Sequence, residues 1–340
     1  MTYKITIKPS DHRFAADAGE TILDAALREG VTLPYGCRNG ACGACKGKVL
    51  DGGVDHGTFQ EHALSEADRA AGLTLFCCAK PLSDVTIEVR EIGATKDIKV
   101  KAMPCRVEKI EKPSADVAIL WLKLPAGERL QFLAGQYIEI LLKDGKRRAF
   151  SLANAPHDDE FLQLHIRHVP GGLFTDFVFK ELKEKAILRF EGPHGSFFLH
   201  EDSDKPLLLL GGGTGFAPLK SIAEHVFHHR HQRAVTLYWG ARAPGDLYLT
   251  QLPQRWASEH PDFKFVPVVS APQSGDGWQG RSGMVHQAVL DDYADLSGFQ
   301  VYACGAPAMV AAARETFTGQ RGLPQEEFFS DAFTFAGGGK

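Results

Sequence analysis

The chain contains 340 residues, of which 44% are hydrophobic and 24% are charged, and its formal net charge is −4. This composition is that of globular domains, predicts two or three of them at roughly 100–200 residues each, and argues against a nucleic-acid partner. Because no apolar run approaches the ~20 residues of a membrane span and the N-terminus lacks the apolar stretch of a signal peptide, we expect no membrane contact and a cytoplasmic location.

We predict three domains, at residues 1–92, 101–203 and 204–340, of α+β, antiparallel β and α/β type. The first segment holds five of the seven cysteines. Its pattern predicts a small α+β domain with two short helices, the second opened by a capping box of Ser65 and Asp68. The other predicted elements are a strand over Tyr3–Lys8, a helix from Thr21 to Glu29 closed by Gly30, and a strand over Val85–Val89.

A polar linker over residues 93–101 leads into the second segment. Short alternating runs separated by turn residues predict a small antiparallel β-barrel, with Cys105 in its core. The predicted strands are Val117–Leu124, Gln136–Leu142, Leu162–Val169 and Ile187–Glu191.

From residue 204 onward, apolar strands alternate with helical stretches. This pattern predicts a doubly wound α/β domain with a parallel sheet. The predicted strands are Pro206–Leu210, Ala234–Trp239, Lys264–Val269 and Phe299–Ala303.

The cysteine spacing is the most specific signal in the chain. Cys37, Cys42 and Cys45 follow the pattern C-x4-C-x2-C, and 31 residues separate Cys45 from Cys77. This is the spacing of plant-type [2Fe–2S] sites, in which a tight loop supplies three thiolates and a distant strand end supplies the fourth. Small residues in the loop allow it to wrap closely and to point backbone N–H groups toward sulfur.

Two alternatives bear on this site. Structural zinc sites usually combine two short paired spacings, which the x4 gap fits poorly. Cys78 competes with Cys77 for the fourth position, and we prefer Cys77 because it stands four residues before Pro81, as the ligand does in plant-type ferredoxins. Cys78 would then be a small core residue.

A second candidate site lies on the barrel, where Arg148, Phe150 and Ser151 end a strand. The segment resembles the Arg-x-Tyr-Ser flavin motif of the ferredoxin–NADP reductase superfamily, with Phe150 in place of tyrosine. The resemblance implies that Arg148 binds the flavin pyrophosphate, that the Phe150 ring lies on the flavin, and that Ser151 reaches the ring edge near N5. An ordinary strand with a surface arginine is the alternative.

A predicted helix N-terminus supports the flavin interpretation. Gly172 and Thr175 open this helix, and free N–H groups at such a position bind phosphate. Arg167 on the preceding strand adds positive charge nearby.

The third candidate site follows the first strand of the α/β domain. A buried run of leucines leads into glycines and a helix, as in dinucleotide-binding domains, where the backbone approaches a pyrophosphate. The residues predicted to bind nucleotide there are Gly211, Gly213, Thr214 and Gly215.

Later strands end at the same edge of the predicted sheet, where ligands bind in open α/β sheets. Cys304 and Gly305 end one of them, and a buried structural cysteine is the alternative for Cys304. Arg242 ends the second strand, at a turn that, by the resemblance to the superfamily, meets the adenosine ribose. A single arginine without further basic residues favours NADH over NADPH.

One histidine cluster, formed by His225, His228, His229 and His231, crowds a predicted helix end. The i, i+3 and i+4 spacing could hold a metal ion. We expect instead that these histidines interact with the helix C-terminal dipole.

Together the motifs resemble reductases with an N-terminal ferredoxin domain, namely the reductase components of aromatic oxygenases and the reductases of deoxysugar biosynthesis. The resemblance implies a β-grasp ferredoxin fold for the first domain, a flavin-binding barrel for the second and a nucleotide-binding sheet for the third. It also implies FAD, one [2Fe–2S] cluster and NADH as cofactors. It places Cys304 beside the nicotinamide and sandwiches the flavin between Phe150 and Phe333. The segments that carry it are Thr21–Leu27, Leu133–Ile138, Gly211–Pro218, His286–Leu290 and Phe328–Phe333.

Electron counting orders these groups. A nicotinamide gives two electrons as hydride, a cluster accepts one at a time, and a flavin can do both. We therefore predict an enzyme that passes electrons from NADH through FAD and the cluster to a one-electron protein acceptor. The acceptor would be an iron–sulfur dehydrase of deoxysugar synthesis or an oxygenase component. A non-enzymatic electron carrier or redox sensor is the alternative from another class.

Overall fold

The computed structural model describes residues 1–95, 98–229 and 233–334, so the predicted role of His231 lies outside the described residues. The chain forms two compact units. The first consists of Met1–Lys99 with Gly195–Phe197, and the second begins at Val100 and contains the rest. Among the described residues, no helix has the length and apolar character that a membrane crossing requires.

The first unit is an α+β fold with a five-stranded mixed sheet in the order β2-β1-β7-β3-β5. Strands β1 and β7 pair in parallel, and the other pairs are antiparallel. Helix α1 buries Ile22, Leu23, Ala25 and Ala26 in the core. The elements are β1 (Thr2–Lys8), β2 (Arg13–Asp17), α1 (Ile22–Arg28), β3 (Lys46–Asp51), β4 (Val54–Asp55), α2 (Glu66–Ala70), β5 (Leu73–Leu75), β6 (Lys80–Pro81) and β7 (Val85–Glu88).

Local caps set the helix ends of this unit: Gly30 and the Ser65 capping box are predicted from the sequence, and the structure adds a side-chain cap at Thr21. The Thr21 hydroxyl accepts a hydrogen bond from the Asp24 N–H at 3.1 Å, which satisfies a backbone donor at the start of α1. Gly30 follows the helix with φ of +77°, a conformation that glycine adopts without strain. The predicted capping box of Ser65 and Asp68 opens α2.

The second unit begins with the predicted antiparallel barrel. Its six strands follow the order β11-β10-β13-β8-β9-β12, and a bridge between Leu152 and Leu164 joins the two outermost strands. The elements are β8 (Lys101–Glu111), β9 (Val117–Lys123), β10 (Tyr137–Leu141), β11 (Arg147–Ser151), β12 (Leu162–Arg167), α3 (Leu173–Lys180) and β13 (Ile187–His194).

A six-stranded parallel sheet follows, in the order β17-β16-β15-β14-β18-β19. The chain runs outward from β14 to β17 and then returns to β18 on the other side of β14. Ligands bind at the carboxyl ends of the strands at such a reversal. The elements are β14 (Leu207–Gly212), α4 (Phe216–His228), β15 (Val235–Ala241), α5 (Gln251–Glu259), β16 (Phe263–Val269), β17 (Arg281–Ser282), α6 (Val285–Asp292), β18 (Gln300–Gly305), α7 (Pro307–Gln320) and β19 (Phe328–Ala332).

The multi-domain fold class is confirmed: a β-grasp ferredoxin type, an antiparallel barrel and a doubly wound parallel sheet. The sequence pattern missed the two outermost strands of the parallel sheet. Strand β17 has only two residues. Strand β19 is partly exposed at its three central positions and therefore lacks the continuous apolar run that marks a buried strand.

Candidate functional site

The four predicted cluster ligands lie in one region of the first unit. Cys37, Cys42 and Cys45 belong to the irregular segment between α1 and β3, and Cys77 follows β5. Arg38 ties the segment to α1, because its guanidinium donates to the Asp24 carboxylate at 3.0 Å.

Backbone N–H groups of the loop point at sulfur. The N–H groups of Ala41 and Cys42 donate to Cys37 Sγ at 3.4 and 3.3 Å, and the Cys37 N–H donates to Cys42 Sγ at 3.4 Å. Such bonds stabilise thiolate ligands and tune a cluster's potential.

Gly40 makes the tight turn of the loop possible. Its φ is +75°, and an added Cβ would lie 2.8 Å from both Cys78 Sγ and the Thr58 carbonyl oxygen. Any other residue would therefore combine backbone strain with a steric clash.

The thiols are arranged in two pairs. A hydrogen bond from the Cys42 thiol lowers the pKa of Cys37 to about 6. Hydrogen bonds from Cys45 first, and Cys78 second, lower the pKa of Cys77 to about 4. Within the described residues no three cysteine sulfurs lie within 4.8 Å of one another, as a single zinc ion with four thiolates requires. Two pairs fit a cluster with two irons and two thiolates on each.

The flavin candidates lie along β11 and at the start of α3. Ser151 is buried and pairs with Tyr137 across the sheet. The ring of Phe150 lies 5.3 Å from that of Phe174, between centroids, so the motif strand packs beside the first turn of α3. The guanidinium of Arg148 donates to the carbonyl of Arg147 at 2.8 Å.

The first turn of α3 is built around Gly172 and Thr175. An added Cβ on Gly172, the N-cap residue, would lie 2.5 Å from the Thr175 hydroxyl oxygen. That hydroxyl donates to the Val169 carbonyl at 3.0 Å and accepts from the Val169 N–H at 3.2 Å. The Thr175 side chain thus closes the loop before α3, and the space beside it admits no Cβ on residue 172.

The glycine turn after β14 meets the end of β18. Gly211 and Cys304 are register partners in the parallel sheet. An added Cβ on Gly215 would lie only 2.1 Å from the Cys304 carbonyl oxygen. Gly305 has φ of +145°, and its carbonyl accepts a hydrogen bond from the Phe333 N–H at 2.8 Å. Cys304, Gly305 and Phe333 are therefore brought to the glycine turn.

Arg167 lies at this turn as well. Its Nη1 is 2.9 Å from the position of an added Cβ on Gly213. Its Nε forms an ion pair with Asp116 at 3.1 Å, without the geometry of a hydrogen bond. The positive charge of Arg167 therefore lies beside the glycine turn.

Arg242 is exposed just beyond β15. A second arginine, Arg281, lies on the short β17, but its guanidinium donates to the Asp292 carboxylate at 2.6 Å and to the Ala288 carbonyl at 2.9 Å. Because of these contacts, the guanidinium of Arg281 is bound to α6 and its charge is paired with Asp292.

A buried aromatic support under the glycine turn was not predicted from the sequence. The Trp239 indole N–H donates to the Gly213 carbonyl at 2.9 Å, and its ring stacks on Phe216 at 4.1 Å between centroids. Tyr248 and His165 join the barrel to this support through a 2.9 Å contact between the hydroxyl and Nδ1. Burial lowers the pKa of His165, which keeps the imidazole neutral. These residues are up to 83 positions apart, so no local pattern links them.

Comparison with known proteins assigns each part of the chain. A family model for 2Fe-2S iron-sulfur cluster binding domains matches residues 5–82. A model for oxidoreductase FAD-binding domains matches residues 104–199, and one for oxidoreductase NAD-binding domains matches residues 209–315.

Relatives match over almost the full length. The chain is 44% identical to a CDP-6-deoxy-L-threo-D-glycero-4-hexulose-3-dehydrase reductase of Yersinia pseudotuberculosis, over 98% of this chain and 99% of the relative. It is 36% identical to reductase component 2 of a Comamonas terephthalate 1,2-dioxygenase, over 98% of each. The structure of Amycolatopsis cytochrome P450 reductase GcoB matches with a TM-score of 0.80 and 36% identity, over 98% of this chain and 100% of that one.

The chain therefore belongs to the iron–sulfur flavoprotein reductases of the ferredoxin–NADP reductase superfamily. It is an NAD(P)H-dependent oxidoreductase with FAD and a [2Fe–2S] cluster. Within that class, the resemblance of its motifs to CDP-6-deoxy-Δ3,4-glucoseen reductase of deoxysugar biosynthesis is confirmed.

Proposed function

We propose that the chain passes electrons from NADH to a dehydrase that acts on a CDP-linked 6-deoxyhexulose. The observation that carries this proposal is the 44% identity, over nearly both full lengths, to a reductase whose name specifies that acceptor. When bound, FAD takes up the two electrons of hydride and releases them singly, as the cluster requires. The residues of the chain bind, orient and shield these groups.

In the first unit, Cys37, Cys42, Cys45 and Cys77 would hold the cluster. The pairing of Cys37 with Cys42, and of Cys45 with Cys77, supports this set because each iron needs two thiolates. Cys78 Sγ lies 3.6 Å from Cys77 Sγ and packs against Gly40, so we assign it to the wall of the site.

On the barrel, Arg148 and the N-terminus of α3, with Gly172 and Thr175, would bind the flavin pyrophosphate. The Phe150 ring would lie on the flavin, and the buried Ser151 would place its hydroxyl near N5. The packing of Phe150 on Phe174 supports this assignment, because it brings the motif strand to the phosphate-binding turn.

At the edge of the parallel sheet, the glycine turn of Gly211, Gly213, Thr214 and Gly215 would bind the dinucleotide pyrophosphate, with Arg167 adding charge. Cys304 and Gly305 would line the nicotinamide, and Phe333 would cover the second face of the flavin. The close approach of Gly215 to Cys304 supports this arrangement, because it holds the two strand ends together.

We also propose that NADH is preferred to NADPH. A 2′-phosphate adds about two negative charges. Arg242 is exposed near the end of β15, but the charge of Arg281 is already balanced by Asp292. A cytoplasmic location fits the seven cysteines, none of which forms a disulfide.

The acceptor is tested by mixing the reduced holoprotein anaerobically with two purified candidates. One is a CDP-6-deoxyhexulose-3-dehydrase, and the other is the oxygenase component of an aromatic-ring dioxygenase. We expect one-electron transfer to the dehydrase to be at least tenfold faster. Faster transfer to the oxygenase would overturn the proposed acceptor and leave the reductase class intact.

An oxygenase component is the second candidate acceptor. The full-length matches to a dioxygenase reductase component and to a cytochrome P450 reductase favour it, because their names specify a dioxygenase and a cytochrome P450 as the systems they serve. The same experiment decides between the two.

A further inference from the structure

Three histidines outside the sites described above bring their ring nitrogens together on the second unit. His157 lies in the turn after β11, while His225 and His229 lie one helical turn apart at the end of α4. One candidate ligand atom from each lies within 4.8 Å of the other two. His225 is buried and the other two are exposed, so an ion can reach the group from solvent.

Hydrogen bonds from α4 hold the turn that carries His157. Lys220 Nζ donates to the Ala153 carbonyl at 3.1 Å, and the Ser221 hydroxyl donates to the Asn154 carbonyl at 2.7 Å. Both bonds lie a few residues from the histidines. The barrel turn and the helix are therefore positioned relative to each other before any ion binds.

Neighbouring side chains orient the imidazoles. The His228 ring stacks on His157 at 3.7 Å between centroids and 11° between planes. His225 Nε2 lies 3.0 Å from the Glu201 carboxylate, and His229 Nδ1 lies 3.1 Å from the His225 carbonyl oxygen. A metal-bound histidine commonly directs its second ring nitrogen to a carboxylate or a backbone carbonyl in this way.

We propose that His157, His225 and His229 form a binding site for a divalent transition-metal ion, with Zn²⁺ as the expected occupant. Imidazole nitrogens suit Zn²⁺, and three of them leave a fourth position for water. In a tetrahedral site with Zn–N bonds of ~2.0–2.1 Å the nitrogens are ~3.3 Å apart. The three nitrogens already lie within 4.8 Å of one another, so each pair has to close by no more than about 1.5 Å. The bound ion links the barrel turn to α4 and so stabilises the second unit.

The test uses holoprotein with full FAD, iron and acid-labile sulfide, titrated with Zn²⁺. Equilibrium dialysis with metal analysis should find one Zn²⁺ per chain, and the melting temperature should rise and return after chelation. His157→Ala should weaken Zn²⁺ binding at least tenfold and abolish the rise. Glu201→Gln removes only the carboxylate behind His225 and should weaken binding by ~10–100-fold.

His12→Ala is the matched control, because His12 is exposed and pairs with Glu91 in the first unit. It should bind Zn²⁺ as the unmodified protein does. Equal Zn²⁺ affinity in His157→Ala, or no binding by the unmodified protein, overturns the proposal. Loss of iron in step with zinc uptake also overturns it, because the ion would then occupy the cysteine loop.

Discussion

Gly215→Ala tests the contact that joins the glycine turn to β18. An added Cβ would lie 2.1 Å from the Cys304 carbonyl oxygen, 2.5 Å from the Cys304 carbonyl carbon and 3.0 Å from the Gly305 nitrogen. All three are backbone atoms, so no side chain can rotate to make room. The φ of Gly215 is −58°, which alanine adopts freely, so lack of space is the sole obstacle.

The expected magnitude follows from the size of the overlap. Non-bonded heavy atoms prefer separations of about 3.5 Å, so the glycine turn and the end of β18 must move apart by more than about 1 Å to relieve the 2.1 Å contact. A displacement of ~1 Å between reacting groups lowers a rate by ~100-fold. We expect NADH to reduce the bound FAD about 100-fold more slowly in Gly215→Ala, and we expect overpacking to destabilise the protein by about 1–3 kcal/mol.

Anaerobic stopped-flow reduction of FAD by NADH measures this rate directly. FAD content should stay normal, because the flavin candidates lie on the barrel. Gly319→Ala on α7 is the control, since an added Cβ there meets nothing within 4 Å. It should keep the original rate and stability or gain about 0.5–1 kcal/mol. Wild-type reduction of a fully loaded Gly215→Ala protein would refute the close approach as a requirement for hydride transfer.

The remaining predictions concern the cluster, the nucleotide and the acceptor. Cys42→Ala should lose the cluster and electron transfer to the protein acceptor, but it should keep NADH-dependent reduction of a small dye. If electron transfer to the protein acceptor is retained, electrons leave the protein from the flavin and not from the cluster. Cys78→Ala should keep the iron and both activities; a bleached cluster would make Cys78 the ligand. The ratio of kcat/KM for NADH to that for NADPH should exceed one, and a ratio below one would mean that a basic group other than Arg242 reaches the ribose. Residues 1–92 carry ten Lys and Arg against thirteen Asp and Glu, so this segment is acidic and we expect the acceptor to dock on it through a basic face. Electron transfer to the acceptor should therefore slow as the salt concentration rises, and salt-independent rates would contradict docking by charge.

Local rules account for most of what the sequence predicted correctly. The capping box of Ser65, the glycine after α1 and the leucine run of β14 depend on neighbours within a few residues. The C-x4-C-x2-C spacing is equally local, because one loop must supply three ligands. The edge strand β19 was missed, since its partly exposed residues lack periodicity and gain their order from pairing with β18.

Contacts between distant segments were beyond prediction. Ser196 donates to the Tyr35 carbonyl at 2.8 Å, and this bond draws a three-residue segment after the barrel into the first unit. The Tyr248–His165 contact likewise joins segments that share no pattern. The position of Arg167 also depends on such contacts. The sequence predicts Arg167 near the start of α3, whereas its approach to Gly213 depends on how the barrel packs on the parallel sheet.

The surroundings of Cys304 sharpen its proposed role. The side chain is fully buried, and burial raises the pKa of its thiol well above the usual range, so the group stays neutral. A neutral thiol can position the nicotinamide by shape and weak contacts but cannot act as a thiolate base or nucleophile.

Cys304→Ala should therefore slow flavin reduction while FAD stays bound, and Cys304→Ser, which keeps a similar shape, should restore most of the rate. Both rates should be independent of pH across the ordinary thiol range. If flavin reduction titrates there and serine fails to rescue it, the thiolate takes part in the reaction. If alanine reduces flavin at the original rate, Cys304 is purely structural.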